Sequence, residues 1–243
     1  MTGQMTGQMT GILTTGATMA GGIAATFLAY WVAMRISGLL RQHPLANPIL
    51  IAALLILAGL AALNLPVAAY TGSVEPLRWL LGPATVAFGL PIYRQRALIL
   101  SAGKALIGAL LIGSLTGIVS AVALARLFNV STNTMQALST KSVTSPFAIA
   151  IMERMGGPSE LAAGLVIITG LVGVAVLPLC LKREQKRDPE GYALALGMAA
   201  HIVGNQHVAR VAPQTLSIAG LALTAAGLAT TVMLPLLWGW LIS

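Results

Sequence analysis

A lysine surrounded by hydroxyl groups is the part of this sequence best suited to chemistry. Lys141 lies in the string Leu-Ser-Thr-Lys-Ser-Val-Thr-Ser-Pro, residues 138–146, within a long stretch of mostly apolar sequence. Ionisable residues at membrane depth are rare and usually face a cavity, a partner or a substrate path. A cation, hydroxyls and the N–H groups at a helix start together bind a small carboxylate. The candidate contacts are Lys141, Ser142, Thr144, Ser145 and Pro146.

The backbone near this lysine is predicted to unwind and to restart as a helix at Pro146. Proline suits the first turn of a helix because its missing N–H group would have no partner there. The N-terminus of such a half-helix would point at the bound anion. The alternative is structural: Lys141 extends its ammonium group to the membrane surface, and the hydroxyls pack helices together.

A second interrupted apolar segment covers residues 79–93. As a helix it would span about 22 Å, which is too short for a hydrocarbon core of roughly 30 Å. We predict a second discontinuity that faces Lys141, with Pro83 at the break and Thr85 as a polar contact. Alternatively, Pro83 only kinks a helix whose small residues allow close packing.

Histidines mark a third unusual apolar segment, residues 191–209. His201 and Asn205 are four residues apart, so a helix places them on one face. They are predicted to add a titratable or hydrogen-bonding group to the substrate path, with a proton as a candidate coupling ion. The alternative for His201 is a structural role near the membrane surface. That role is the favoured one for His207, which lies near Arg210.

Neither a metal site nor an enzyme active site is predicted, and no cofactor is expected. His201 and His207 are six residues apart and do not share a helical face, and no nearby cysteine or carboxylate completes a ligand set. No nucleophile is paired with a base and an orienting acid. The single cysteine, Cys180, lies in an apolar run, so it offers no disulfide framework.

The composition is that of an integral membrane protein. Of 243 residues, 57% are hydrophobic and 8% are charged, whereas soluble domains carry about 25% charged residues. The net charge of +8 would suggest nucleic acid as the partner of a soluble protein. Here the cations lie between apolar runs, which is the positive-inside pattern. The predicted partner is therefore the lipid bilayer and not nucleic acid.

Apolar runs free of charge predict an all-α polytopic protein with about seven transmembrane helices. Residues 1–17 are predicted to be a disordered lead-in, and residues 18–243 a single transmembrane domain. Because a span needs about 20 apolar residues, five runs are assigned as spans: 18–34, 47–69, 105–125, 161–181 and 214–241. The segments near 79–93 and 127–152 are predicted to be broken or re-entrant.

Charge bias predicts that residues 127–152 enter the membrane and return on the same side. Basic residues cluster at 94–104 and at 182–187, and the positive-inside rule assigns both clusters to the cytoplasm. An even number of crossings must then separate them, and the helices at 105–125 and 161–181 already supply two. The alternative is that one basic loop violates the rule.

These motifs resemble those of the LrgB/CidB family, which includes the C-terminal domain of the plant plastidic glycolate/glycerate transporter. The most specific match is Lys-Ser-Val-Thr-x-Pro at residues 141–146. The other matches follow the family's order across about residues 30 to 230: Pro44-Leu-Ala-Asn47-Pro48, Leu80-Leu-Gly-Pro83-Ala-Thr-Val-Ala, Pro91-Ile-Tyr93-Arg-Gln95, Gly156-Gly157, and Gly197 to Gly204 around His201. One departure is that His207 occupies the position of the family's usual arginine.

The resemblance implies a protein of the bacterial inner (plasma) membrane linked to export of small organic acids. Together with the broken helices, it favours a transporter of monocarboxylates of the glycolate, lactate or pyruvate class. Bacterial members are also described as antiholin-like proteins, usually encoded beside a small holin-like partner. The second hypothesis is therefore a regulator of murein hydrolase export and cell lysis that acts with such a partner. A coupling proton or cation and a homo-oligomer remain open.

Overall fold

The described parts of the protein are mostly helical and contain long apolar helices, which confirms the predicted all-α polytopic class. The computed structural model describes residues 2–40, 46–87, 89–94 and 96–242, and it does not describe the side chains of residues 2–17, 85, 91, 98, 101 and 102. The structure is 87% helical, and no described residue forms a strand.

The chain divides into two compact units, residues 1–83 and 84–243. The first unit contains the start of α5 and four further described helices: α1 (Thr2–Leu39), α2 (Pro48–Ala62), α3 (Val67–Ser73) and α4 (Glu75–Trp79). Helix α1 begins inside the segment predicted to be a disordered lead-in, and it packs against α2, α3 and α4. The single transmembrane domain over residues 18–243 stays a prediction.

The second unit contains the remaining helices and all of the geometry used below. Its described helices are α5 (Leu81–Ala87, begun in the first unit), α6 (Gly89–Arg94), α7 (Arg96–Leu127), α8 (Thr132–Ser139), α9 (Ser145–Met155), α10 (Ser159–Cys180), α11 (Glu184–Arg187), α12 (Pro189–Ala199), α13 (His201–Val211) and α14 (Leu216–Ile242). A short 3-10 turn, Pro213–Thr215, precedes α14.

Four of the described helices are long and apolar enough to cross a membrane, and each overlaps a predicted span. They are Thr18–Leu39, Gly103–Leu127, Ser159–Cys180 and Pro213–Ile242. The fifth predicted span, residues 47–69, forms the shorter apolar helix α2 and the start of α3. The segment predicted to be broken at 79–93 divides among the end of α4, α5 and α6.

Residues 132–155, which we call the first hairpin, fold back on themselves. Helices α8 and α9 are joined by an unwound stretch, residues 140–144. The side-chain amide of Gln136 in α8 donates a hydrogen bond to the backbone carbonyl of Met155 at the end of α9, at 3.5 Å. Because the start of the segment lies beside its end, the segment forms a broken helical hairpin, which is one of the predicted forms. Its entry and return on one side of the membrane stay a prediction.

Residues 189–211, which we call the second hairpin, have the same form. Helices α12 and α13 are separated at Ala200, and His201 follows with a left-handed φ of 47°. The hydroxyl of Tyr192 in α12 and Nε2 of His207 in α13 lie 3.0 Å apart in a hydrogen bond. This contact joins the two arms of the hairpin away from its tip. The predicted position of His207 near the membrane surface stays a prediction.

The two hairpins enter from opposite faces of the second unit. Helix α10 lies between them in the chain and crosses from one face to the other. Helix α14 contacts both, but at opposite ends. Leu241, near its end, shares a core with Met152 of the first hairpin. Ala219, near its start, shares a separate core with Tyr192 of the second hairpin.

The charges identify the two faces. Where α7 begins and α10 ends, the charged residues are Arg94, Arg96, Lys104, Lys182, Arg183, Glu184, Lys186, Arg187, Asp188 and Glu190. Where α7 ends and α10 begins, the charged residues are Arg126, Glu153, Arg154 and Glu160. From the positive-inside rule we expect the more basic face to be cytoplasmic. That the second hairpin enters from the cytoplasm and the first from the other side stays a prediction.

The second hairpin depends on a close approach between α12 and α14 at Gly197. A Cβ atom there would overlap the backbone carbonyl of Ala219. We expect Gly197→Ala to destabilise the protein by about 1–3 kcal/mol, because a backbone carbonyl in a packed helix cannot move aside cheaply. Thermal unfolding in detergent would show a lower midpoint. The matched control is Gly164→Ala on α10, where the new methyl group meets no atom within 4 Å.

Candidate functional site

The tips of the two hairpins meet inside the second unit. His201, at the tip of the second hairpin, lies within electrostatic range of Lys141 at the tip of the first. His201 is 2% exposed, and Lys141 is half-buried. The two residues were predicted as contacts from separate parts of the sequence. The fold brings them together at one point.

Glycine residues in the surrounding spans make room for both tips. The Oγ atom of Ser142 lies 3.2 Å from the position that a Cβ atom would take at Gly117 of α7. The Nδ1 atom of His201 lies 3.3 Å from the corresponding position at Gly170 of α10. Each glycine is about 15 Å from an end of its span, which is half the thickness of a hydrocarbon core. The tips therefore meet near the membrane midplane.

Four helix ends converge at this point. Helices α9 and α13 begin there and α8 and α12 end there, so partial positive and partial negative charges both face the site. Thr144 precedes α9, but its hydroxyl does not cap the helix. Unwound backbone at membrane depth is tolerated only where it is buried in protein or lines a cavity. The arrangement is the one expected of an ion-binding or anion-binding site.

Lys141 supplies the charge of the site. Its ammonium group donates a hydrogen bond to Oγ of Ser142 at 3.2 Å. Within the part of the chain that the structure describes, no carboxylate forms an ion pair with Lys141. A hydroxyl cannot neutralise an ammonium group, and a buried charge is stable only when it is compensated. The site consequently favours an anionic ligand.

Some buried polar atoms have no hydrogen-bond partner. Native structures satisfy the great majority of buried polar groups, so an unsatisfied one is a candidate for contact with a ligand or water. Among the described residues, the side-chain atoms of this kind are Ser114 Oγ, Thr144 Oγ1, His201 Nε2 and Asn205 Oδ1. The last three belong to residues predicted from the sequence.

The remaining predicted contact residues lie in different parts of the structure. Ser145 donates its hydroxyl to the carbonyl of Ala163 in α10 at 3.5 Å, which fixes the first hairpin to that span. Pro146 occupies the first turn of α9, as predicted. Pro83 belongs to the first unit and is exposed, and the side chain of Thr85 lies outside the described residues. That their segment faces Lys141 stays a prediction.

Two features of the site were missed by sequence reasoning. The first is the break at Ala200, which has no proline or glycine beside it to signal it. The second is Ser114, which resembles many other small residues in the apolar run of α7. Its spacing from the buried residues Leu110 and Ile118 could have placed it on the inner face of that helix.

The described residues at the hairpin tips are not a set of metal ligands. Within the described residues, no group of three histidine, cysteine, aspartate or glutamate side chains is arranged to hold a metal ion. The donor set consists of an ammonium group, hydroxyls, an imidazole and an amide. Such groups can bind an organic anion through charge and hydrogen bonds.

The sequence matches the model of one known protein family. The family model described as LrgB-like matches residues 26–240. The chain belongs to the LrgB-like family. The matched region contains both hairpins and all nine predicted contact residues, so the resemblance inferred from the sequence is confirmed.

Relatives in the LrgB-like family are similar over most of their length. A Bacillus subtilis (strain 168) protein called uncharacterized protein YxaC is 30% identical over 181 residues, which cover 74% of this chain and 79% of the relative. A Bacillus mycoides (strain KBAB4) protein called antiholin-like protein LrgB is 25% identical over 215 residues, covering 88% and 94%. No solved structure matches the chain.

Proposed function

We propose that the protein transports small monocarboxylates, of the glycolate, lactate or pyruvate class, across the bacterial inner (plasma) membrane. The observation that supports this most is the meeting of Lys141 and His201 at the tips of two hairpins near the membrane midplane. A carboxylate would bind the Lys141 ammonium group through charge-assisted hydrogen bonds. The uncapped start of α9 would add the favourable potential of a helix N-terminus.

The opposed hairpins supply a route to the site from each face. Displacing the second hairpin would open the site to the cytoplasm, and displacing the first would open it to the other side. Each hairpin is held by its own contact between arms, Gln136 with Met155 in the first and Tyr192 with His207 in the second. Transport by this route requires each hairpin to move against α7, α10 and α14, including the contacts of Ser145 with α10 and of Gly197 with α14. Alternation between these two openings is how a fixed central site transports a solute.

The experiment that tests this function is flux of labelled glycolate, lactate and pyruvate in proteoliposomes. Saturable flux above that of protein-free liposomes is the expected result, for at least one of the three acids. Imposing a proton or sodium gradient in separate runs would identify the coupling ion. Absence of saturable flux from correctly folded protein, under every gradient, would contradict the proposal.

A second candidate function is suggested by the relatives' names. Several Bacillus relatives are called antiholin-like protein LrgB. On this hypothesis the protein regulates murein hydrolase export and cell lysis together with a small holin-like membrane protein, and a homo-oligomer would suit that assembly. Co-purification of such a partner, with lysis timing unchanged by substitutions at Lys141, would favour regulation. Lysis timing that follows carboxylate flux would favour transport.

A further inference from the structure

Ser114 is a polar residue in the apolar inner face of α7. The buried positions of that helix recur at Leu110, Ile118, Ala121, Val122 and Ala125, and Ser114 shares their spacing. The side chain of Ser114 is 3% exposed. A serine buried this deeply in a membrane span costs free energy unless its hydroxyl finds a partner.

Other hydroxyls in these helices find partners in their own backbone. Ser120, six residues further along α7, donates to the carbonyl of Gly117 at 3.3 Å. Thr224 and Thr231 in α14 donate to carbonyls four residues earlier, both at 2.8 Å. Ser114 departs from this pattern, because its Oγ atom is buried and has no partner. Its hydroxyl is therefore available to a group that does not belong to its own helix.

Two neighbours of Ser114 on α7 each lie beside one of the hairpins. One residue earlier, the side chain of Met198 from the second hairpin lies where a Cβ atom of residue 113 would be. One turn later, Gly117 is covered by Ser142 from the first hairpin. Ser114 is also about 16 Å from the start of the span at Gly103, which places it near the midplane with the hairpin tips.

We propose that Ser114 is a substrate-binding residue, whose hydroxyl donates a hydrogen bond to an oxygen atom of the bound carboxylate. This inference rests on the proposed transport function. Lys141 and the start of α9 approach the ligand from the first hairpin, and His201 from the second. Ser114 approaches it from a continuous span. A contact of that kind stays with the ligand when either hairpin moves, so it is present in both openings of the site.

The test compares Ser114→Ala with Ser120→Ala in proteoliposomes, using the acid that the wild-type protein transports best among glycolate, lactate and pyruvate. Loss of a hydrogen bond to a charged ligand is expected to raise the half-saturating concentration about tenfold or more in Ser114→Ala. Ser120→Ala should stay within about twofold of wild type, because Ser120 bonds its own helix.

Thermal stability without ligand distinguishes a binding role from a structural one. Alanine in place of an unpartnered buried hydroxyl should leave the unfolding midpoint unchanged or raise it. Added substrate should then raise the midpoint less in Ser114→Ala than in wild type. A lower midpoint without ligand, or a half-saturating concentration equal to that of wild type, would overturn the assignment of Ser114. Failure of the wild-type protein itself to transport any of the acids would overturn the transport function and this inference together.

Discussion

Lys141→Ala is expected to abolish saturable carboxylate flux while leaving the protein folded in the membrane. The ammonium group is half-buried and, among the described residues, pairs with a hydroxyl and with no carboxylate. Hydrogen bonds to charged groups contribute about 1.5–3 kcal/mol each, so losing the cation weakens binding by at least one or two orders of magnitude. Folding should not suffer, because removing an uncompensated buried charge also removes its desolvation cost.

The measurement is labelled-acid uptake in proteoliposomes at matched protein density, with Lys104→Ala as the control. Lys104 is an exposed residue at the start of the α7 span, so its loss removes the same charge outside the site. Lys141→Arg adds a second comparison, since it retains the charge in a larger and planar group. Flux through Lys141→Ala equal to that of wild type would remove Lys141 from the mechanism and return it to a structural role.

The first hairpin was predictable because its signals are local. Lys141 interrupts an apolar run, and Pro146 suits a helix start. The basic residues on either side predict an even number of membrane crossings between them. These three observations use residue type and sequence position alone. They are sufficient to predict an interrupted helical hairpin, although they do not say which residues surround its tip.

The second hairpin was only partly predictable because its break is made by tertiary contacts. Met198, Ala199 and Ala200 form a string that favours a continuous helix. The break is held instead by α10, where Gly173 closely approaches Ala200 and Gly170 lies beside His201. In the sequence alone, such a glycine cannot be distinguished from an ordinary helix-packing residue in an apolar span. Only the fold shows which residues it contacts. The same limit applies to Ser114, whose burial and missing partner are properties of the folded chain.

His201 occupies a backbone conformation that a histidine adopts at a cost. Its φ of 47° is in the left-handed region, where a side chain costs about 1–2 kcal/mol relative to glycine. We expect His201→Gly to be more stable than His201→Ala by about 1 kcal/mol, since both remove the imidazole and only alanine retains the strain. Unfolding of the two variants in detergent measures this difference. Equal stability would mean that the left-handed turn is not retained in solution.

Neither variant should transport normally, because the imidazole is the part of His201 that faces Lys141. Its Nε2 atom is buried without a partner, so its loss should reduce flux about tenfold or more. If His201→Gly were more stable than His201→Ala and transported no acid, the imidazole would be needed for transport in spite of the backbone strain. Flux retained by His201→Gly would show the reverse, that the second hairpin needs only the turn at this position. The pair of measurements therefore separates the backbone role of His201 from its side-chain role, which flux through His201→Ala alone cannot do.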